Sequence, residues 1–375
     1  MKALFCESSH LEDFEEVLRE LDGEGFGALL IFACDANHWS ARSVNELLRS
    51  IKTPTLGGIF PAIAMNSTKH EKGVILVGLE EQPDIARITG MSDSAANYEA
   101  QLLEQVEHWA GLEGDGTLVV LVDGLAKRIS ALVEDLFFVF GLESNFVGGG
   151  AGSLSFQQKP CIISPQGLEE DSAIVFRLPR TSAIGVTHGW ASISEALEVT
   201  EADRNVVKSL NWQPAFEAYK AIVDMHCASP ITRDAFFDVA KSYPLGLQKI
   251  GGAHVVRDPL MVQNETELVC VGEVHQGAFV RVLNGDADSL LRAAGQARAL
   301  VDSASACKNG DLMLFDCISR ALFLGERIDE ELAALTQGEP AFGAFTLGEI
   351  ANTGTEYLEF LNKTTVLSRI DKATN

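Results

Sequence analysis

Short, unbroken apolar runs, set apart by stretches of helical period, constrain this chain more than any other feature. Residues 28–33 (ALLIFA), 55–60 (TLGGIF), 74–79 (VILVGL) and 118–122 (LVVLV) are too short for buried helices and too continuous for half-exposed strands. Each therefore reads as a strand buried on both faces. Leu11, Phe14, Val17, Leu18 and Leu21 recur at spacings of three and four, and 39–51, 96–109 and 129–140 show the same period, which is one face of a helix. Strands alternating with helices predict an α/β chain: two α/β domains whose mixed, largely parallel sheets are flanked by helices. Further strands are expected at 172–176, 183–188 and 253–256, and helices at 230–243 and 288–304. No internal repeat stands out. The domain boundary is placed near 195–215, giving domains 1–200 and 201–375.

Charge narrows the partners. With 53 acidic and 29 basic residues the net charge is −24. Such a surface repels phosphate backbones and anionic lipid, so neither nucleic acid nor a membrane surface is expected as a partner. No apolar run approaches the ~18–20 residues that span a bilayer. The start, MKALFCESSHLEDFEE, turns acidic too early for a signal peptide. The seven cysteines are scattered, without a C-x-x-C pair, and most sit in apolar strings. A reduced, cytoplasmic protein is expected.

Polar residues that interrupt apolar runs mark the last third: DLMLFDCISRALFLGE, EPAFGAFTLGEIANTG and EYLEFLNKTTVL. Cys317 is the obvious nucleophile, but Asp316 and Arg320 oppose each other in tuning its thiol, and no histidine lies close in sequence. It reads as a buried strand-end cysteine, and no enzymatic activity is expected. The eight histidines are too dispersed to define a zinc site. Residues 145–153 (NFVGGGAGS) read as a glycine-rich loop, either a tight turn or a cradle for an anion or planar ligand; no Lys-Ser/Thr follows, which excludes a P-loop.

Taken in order, FDC-x-SR, GE-I and N-K-T resemble the C-terminal half of FIST-domain proteins. GGGAG at 148–152, TLGGIFPAI at 55–63, Gly189-Trp190, NWQPAFEAY at 211–219 and Arg257-Asp258-Pro259 are similar to further family elements, so the resemblance runs over most of the chain. It implies a sensory protein that binds a small-molecule ligand. No segment reads as an output domain, so the implied partner is separate, a histidine kinase or a cyclic-dinucleotide enzyme. Stand-alone members that carry haem b and sense nitric oxide are the subclass to which the resemblance points. Haem needs an axial ligand, an apolar slot and cations for its propionates. His188 ends the apolar run AIGVTH and is the expected metal ligand. Trp190 would wall the haem, Gly149 and Gly150 would approach it, and Arg177, Arg257 or Arg320 would meet the propionates. His10 and His70 lie in polar stretches, and His38, His108, His226, His254 and His275 are the remaining histidines. Two haem-free alternatives stand beside this one. In the first, a sensor of amino acids or small anions, Arg320, Asn362, Lys363 and the glycine-rich loop would grip a carboxylate. With or without haem, Arg320, Glu349, Asn362 and Lys363, with Cys317 beside them, are expected to converge on one cleft. Arg320 and Glu349 would otherwise form only a structural ion pair. The second is a protein-binding scaffold.

Overall fold

The computed structural model describes residues 1–107, 109, 116–141, 144–249, 254–304, 307–352 and 357–372. Its central fact is a unit built three times. Each unit runs strand, helix, strand, helix, strand, hairpin, strand. The opening strands are Lys2–Cys6, Asp84–Thr89 and Ser182–Thr187, and the closing strands are Val74–Leu79, Ser172–Leu178 and Thr365–Asp371. Between them lie the parallel pairs Ala28–Cys34 with Thr55–Phe60, Thr117–Asp123 with Asn145–Ala151, and Gly310–Cys317 with Ala341–Thr346. In every unit the closing strand lies antiparallel between the opening strand and the first of that pair.

Each unit gives its hairpin to a neighbour. The strand Ala62–Met65 of the first joins Ala341–Thr346 of the third. Ile162–Ser164 of the second joins Thr55–Phe60 of the first, and Glu349–Ala351 of the third joins Asn145–Ala151 of the second. The exchange closes a ring of three six-stranded sheets and ties the two ends of the chain together. The sheets meet in a shared apolar core, where the Phe32 ring lies 5.7, 6.1 and 6.2 Å from those of Phe60, Phe315 and Phe342. One glycine per unit permits the parallel pair. A Cβ on Gly57, Gly148 or Gly343 would fall 1.9, 1.8 or 1.9 Å from the carbonyl oxygen of Ile31, Val120 or Leu314 on the neighbouring strand.

The third unit is interrupted after its opening strand. Described strands between Ala191 and Asn284 form a separate nine-stranded antiparallel sheet with its own apolar cluster, including Phe216, Tyr219 and Leu268. The chain then re-enters the third unit at helix Ala287–Ser303, whose start is closed by a capping box between Asp286 and Ser289.

The α/β reading of the chain stands, but the largely parallel sheets do not: only the three pairs named above run parallel among the described strands. A strand buried on both faces carries the same apolar run in either direction, so the run alone gives no orientation. The glycine-rich stretch is not a loop. It is the buried strand Asn145–Ala151. The helix expected at 230–243 shrinks to Phe236–Ala240. Residue 200 lies inside the strand Leu197–Asp203 of the inserted module. The threefold repeat, invisible in sequence, lives in strand order rather than in side-chain identity. Among the described residues no helix is long and apolar enough to cross a membrane.

Candidate functional site

A cleft of about 600 Å³ opens where the inserted module leaves and rejoins the third unit. One wall is Val186 to Ala191; the module supplies Lys249 and His254, the helix Ala287–Ser303 supplies Ser289, Arg292 and Gln296, and Leu361 and Thr364 complete the lining. Gly189, at φ +81°, makes the sharp exit from the strand, and a Cβ there would lie 2.7 Å from the Ser289 carbonyl oxygen. Among the described residues that line the cleft none is acidic, although the chain carries a net charge of −24. Lys249 also reaches Glu359 at 2.9 Å.

His188 and Trp190 both border this cleft. Trp190 is buried, with its indole N–H on the Lys363 carbonyl oxygen at 3.3 Å and its ring 5.2 Å from that of Phe323. The backbone N–H of Trp190 donates to His188 Nδ1 at 3.0 Å. Burial, with the charge of Arg320 and then His254 nearby, lowers the His188 pKa to about 4, so its ring is neutral. A neutral ring that accepts at Nδ1 carries its proton on Nε2 and has no lone pair left there for iron. The ligating arrangement is the reverse, with Nδ1–H donating to an acceptor. Among the described residues no group of three or more His, Cys, Asp or Glu side chains is placed to hold a metal ion. With Nδ1 taken by the Trp190 N–H, the His188 ring as placed does not present the arrangement of an axial ligand.

Beneath the cleft lies a buried charge network. Arg320 sits in the short helix Ile318–Leu324, which begins directly after the strand Gly310–Cys317. Its side chain is wholly buried, and all five N–H donors are used within the protein. Nε donates to Glu331 Oε1 at 3.0 Å and Nη2 to the same oxygen. Nη1 donates to the carbonyl oxygens of His188 at 2.6 Å and Lys363 at 3.2 Å, and Nη2 to that of Leu290 at 3.3 Å. Its second carboxylate is Asp316, at 3.3 Å. Burial first, and then the Glu331 charge, holds the Asp316 carboxyl well above the usual range. Neither Asp316 oxygen has a hydrogen-bond partner among the described residues.

Glu349 is not the ion partner of Arg320. Its Oε1 accepts from Thr346 Oγ1 at 2.8 Å and its Oε2 from the Thr364 N–H at 3.3 Å. Burial pushes its pKa up to about 8 against these hydrogen bonds, so the carboxyl holds a proton at neutral pH. Cys317 stands beside it and is pushed up to about 12 by burial and then by the Glu349 charge, which leaves it a thiol rather than a nucleophile. Lys363 is also fully buried, with Nζ 3.1 Å from Asp258, 2.9 Å from the Lys241 carbonyl oxygen and 5.0 Å from the Trp190 ring centre. Asn362 Oδ1 accepts from Arg257 at 3.5 Å. Arg320, Glu349, Asn362 and Lys363 thus gather in one region, linked through the segment 362–364, but as interior groups rather than on an open wall.

The repeat supplies an internal control on this network. Glu349 pairs with Gly149, one residue past the tight glycine of its neighbour. The same place is held by Ile63, opposite Ala344, and by Ile162, opposite Gly58. Asp316, opposite Thr365, corresponds to Ala33, opposite Val74, and to Val122, opposite Ala173. Two of three copies build the same sheet with apolar residues at both positions. The fold does not require these carboxyls.

The remaining expected residues lie elsewhere. Gly149 and Gly150 serve strand contact: Gly150 N–H donates to the Gly348 carbonyl oxygen at 2.8 Å, and a Cβ on Gly149 would lie 2.7 Å from it. Arg177 lies in strand Ser172–Leu178 of the second sheet, 3.8 Å from Asp84, and is not among the residues that line the cleft. His108 falls outside the described residues. Sequence reasoning missed Glu331 and Arg292. Both stand on helices, where a charged residue is ordinarily solvated, and nothing local marks them as inward or cleft-facing.

No curated protein matches the chain. Two family models do: the FIST N domain over residues 28–213 and the FIST C domain over 215–352. The seam between them falls within the inserted module, at the turn from strand Gln213–Pro214 into helix Ala215–Val223. Matched by the two domains in succession, the chain belongs to the FIST family, whose domains are sensory modules of signal transduction that bind small ligands.

Proposed function

We propose that this protein senses a small anion, an amino acid or a comparable carboxylate, in the cleft between the third unit and the inserted module, and reports to a separate signalling protein of the histidine-kinase or cyclic-dinucleotide class. The observation that carries this reading is the cleft lining: Arg292, Lys249, His188 and His254, with no acidic residue among the described lining groups of a strongly acidic chain. A carboxylate entering there meets the Arg292 guanidinium, a planar fork suited to it, beside the neutral His188 ring and Lys249, which Glu359 already pairs. The location suits a sensor, because a ligand held by both bodies favours one arrangement of the module over others.

Thermal-shift and calorimetric titration with a panel of amino acids and small carboxylates tests it. At least one ligand should raise the Tm. Arg292→Gln should weaken that ligand by about tenfold or more, the worth of a charge-assisted hydrogen bond, while leaving the ligand-free Tm unchanged. No binding across the panel, or equal binding by the variant, overturns the reading.

A further inference from the structure

We propose that the hairpin turn at Asn211-Trp212 is a docking surface for a basic segment of a partner protein, with Trp212 as its anchor. Leu210 pairs with Gln213, so the loop between them holds only Asn211 and Trp212. Both are left-handed, with φ of 48° and 64°. A two-residue turn of this kind suits Asn in first place, and in second place it suits glycine. Tryptophan there strains its backbone and, at 82% exposed, leaves a large apolar ring in water. Folding is served by neither. The backbone is secured without the ring, since Trp212 N–H donates to Thr200 Oγ1 at 3.0 Å.

The surroundings define the partner. A groove of about 590 Å³ runs beside the ring, with Pro214 and Thr266 in its lining and Glu201 and Glu267 as its acids. Its one lysine, Lys208, is 3.5 Å from Glu201. Phe279, 51% exposed, stands opposite Glu198, whose backbone accepts from Asn211 N–H and donates to Asn211 Oδ1. An exposed aromatic ring beside Glu201 and Glu267, on a chain of net charge −24, fits a lysine or arginine stacked on Trp212 with an apolar neighbour against Pro214 in the groove. A second copy would bring carboxylates against carboxylates, and an anionic membrane would be repelled in the same way.

The proposal draws on the sensory reading only in expecting a partner. The groove and the ligand cleft share no lining residue, so failure at one leaves the other standing. The test is Trp212→Gly, read by Tm, by sedimentation and by fluorescence anisotropy with a synthetic Lys/Leu amphipathic peptide. The variant should keep or raise the Tm and should bind the peptide about tenfold or more weakly, as expected for a lost aromatic anchor. A lowered Tm would make Trp212 a structural residue. Equal peptide binding would reduce the contact to bulk charge. Self-association of the wild type that the variant abolishes would make the occupant a second copy. Each of these three results overturns the proposal.

Discussion

Arg320 Nη1 donates to the carbonyl oxygen of His188 at 2.6 Å. The bond joins a fully buried ion pair to the wall of the cleft, so the position of the His188 segment depends on a charge network it does not itself belong to. Asp316 in that network stands where the other two units carry Ala33 and Val122, and the cleft borders the same unit.

Arg320→Gln should cost on the order of 3–5 kcal/mol, the usual loss when one member of a buried pair is removed and its partner stays charged. Urea denaturation at neutral pH measures it. Asp316 and Glu331 would be left without their cation, and the His188 carbonyl group without its Arg320 donor. A loss below about 1 kcal/mol, the range of exposed ion pairs, would contradict the assignment.

Glu349→Ile, which installs the residue of the two sister units, should fold and should be less sensitive to pH. The Glu349 pKa is about 8 when folded against 4.5 as its ordinary value. The folded state thus binds more protons than the unfolded state between those limits. Its contribution to stability is complete below pH 4.5 and is lost as the pH rises towards 8. Denaturation midpoints across that window should fall less steeply in the variant. Identical slopes would place the Glu349 proton elsewhere.

Gly148→Ala should destabilise by about 1–3 kcal/mol or more, because its Cβ would lie 1.8 Å from the Val120 carbonyl oxygen in a packed sheet. Gly295→Ala is the matching control. It lies in helix Ala287–Ser303 with no atom within 4 Å of an added Cβ, so it should stabilise by about 0.5–1 kcal/mol. Thermal unfolding of the two variants should move in opposite directions.

Haem titration should give no saturable Soret band dependent on His188, since the ring accepts the Trp190 N–H at Nδ1. A one-to-one band that disappears in His188→Ala would show that the ring turns over on binding, and would return the site to haem.

Local structure was largely legible. The runs at 28–33, 55–60, 74–79 and 118–122 are strands, and the helical faces at 11–21, 39–51 and 129–140 are helices, because burial patterns repeat within a few residues. The FDC-x-SR, GE-I and N-K-T segments also come together, through Arg320 donating to the Lys363 carbonyl oxygen and the Thr364 N–H donating to Glu349. The roles inside them were not legible. Arg320 and Glu349 look alike as polar residues between apolar runs, yet one is a five-donor clamp and the other a protonated carboxyl that accepts from Thr364.

The amino-acid sequence alone determined the alternation of buried strands and amphipathic helices, the acidic surface and the family to which the chain belongs. Each of these depends on residue type or on neighbours within a few positions. Tertiary structure alone decided strand direction, the exchange of hairpins around three units, the insertion that creates the cleft, and the meeting of Glu331 with Arg320. Those outcomes rest on hydrogen bonds and charges between residues on different elements. A buried strand is equally apolar whichever way its partner runs, and a helix glutamate carries no mark of what it will face.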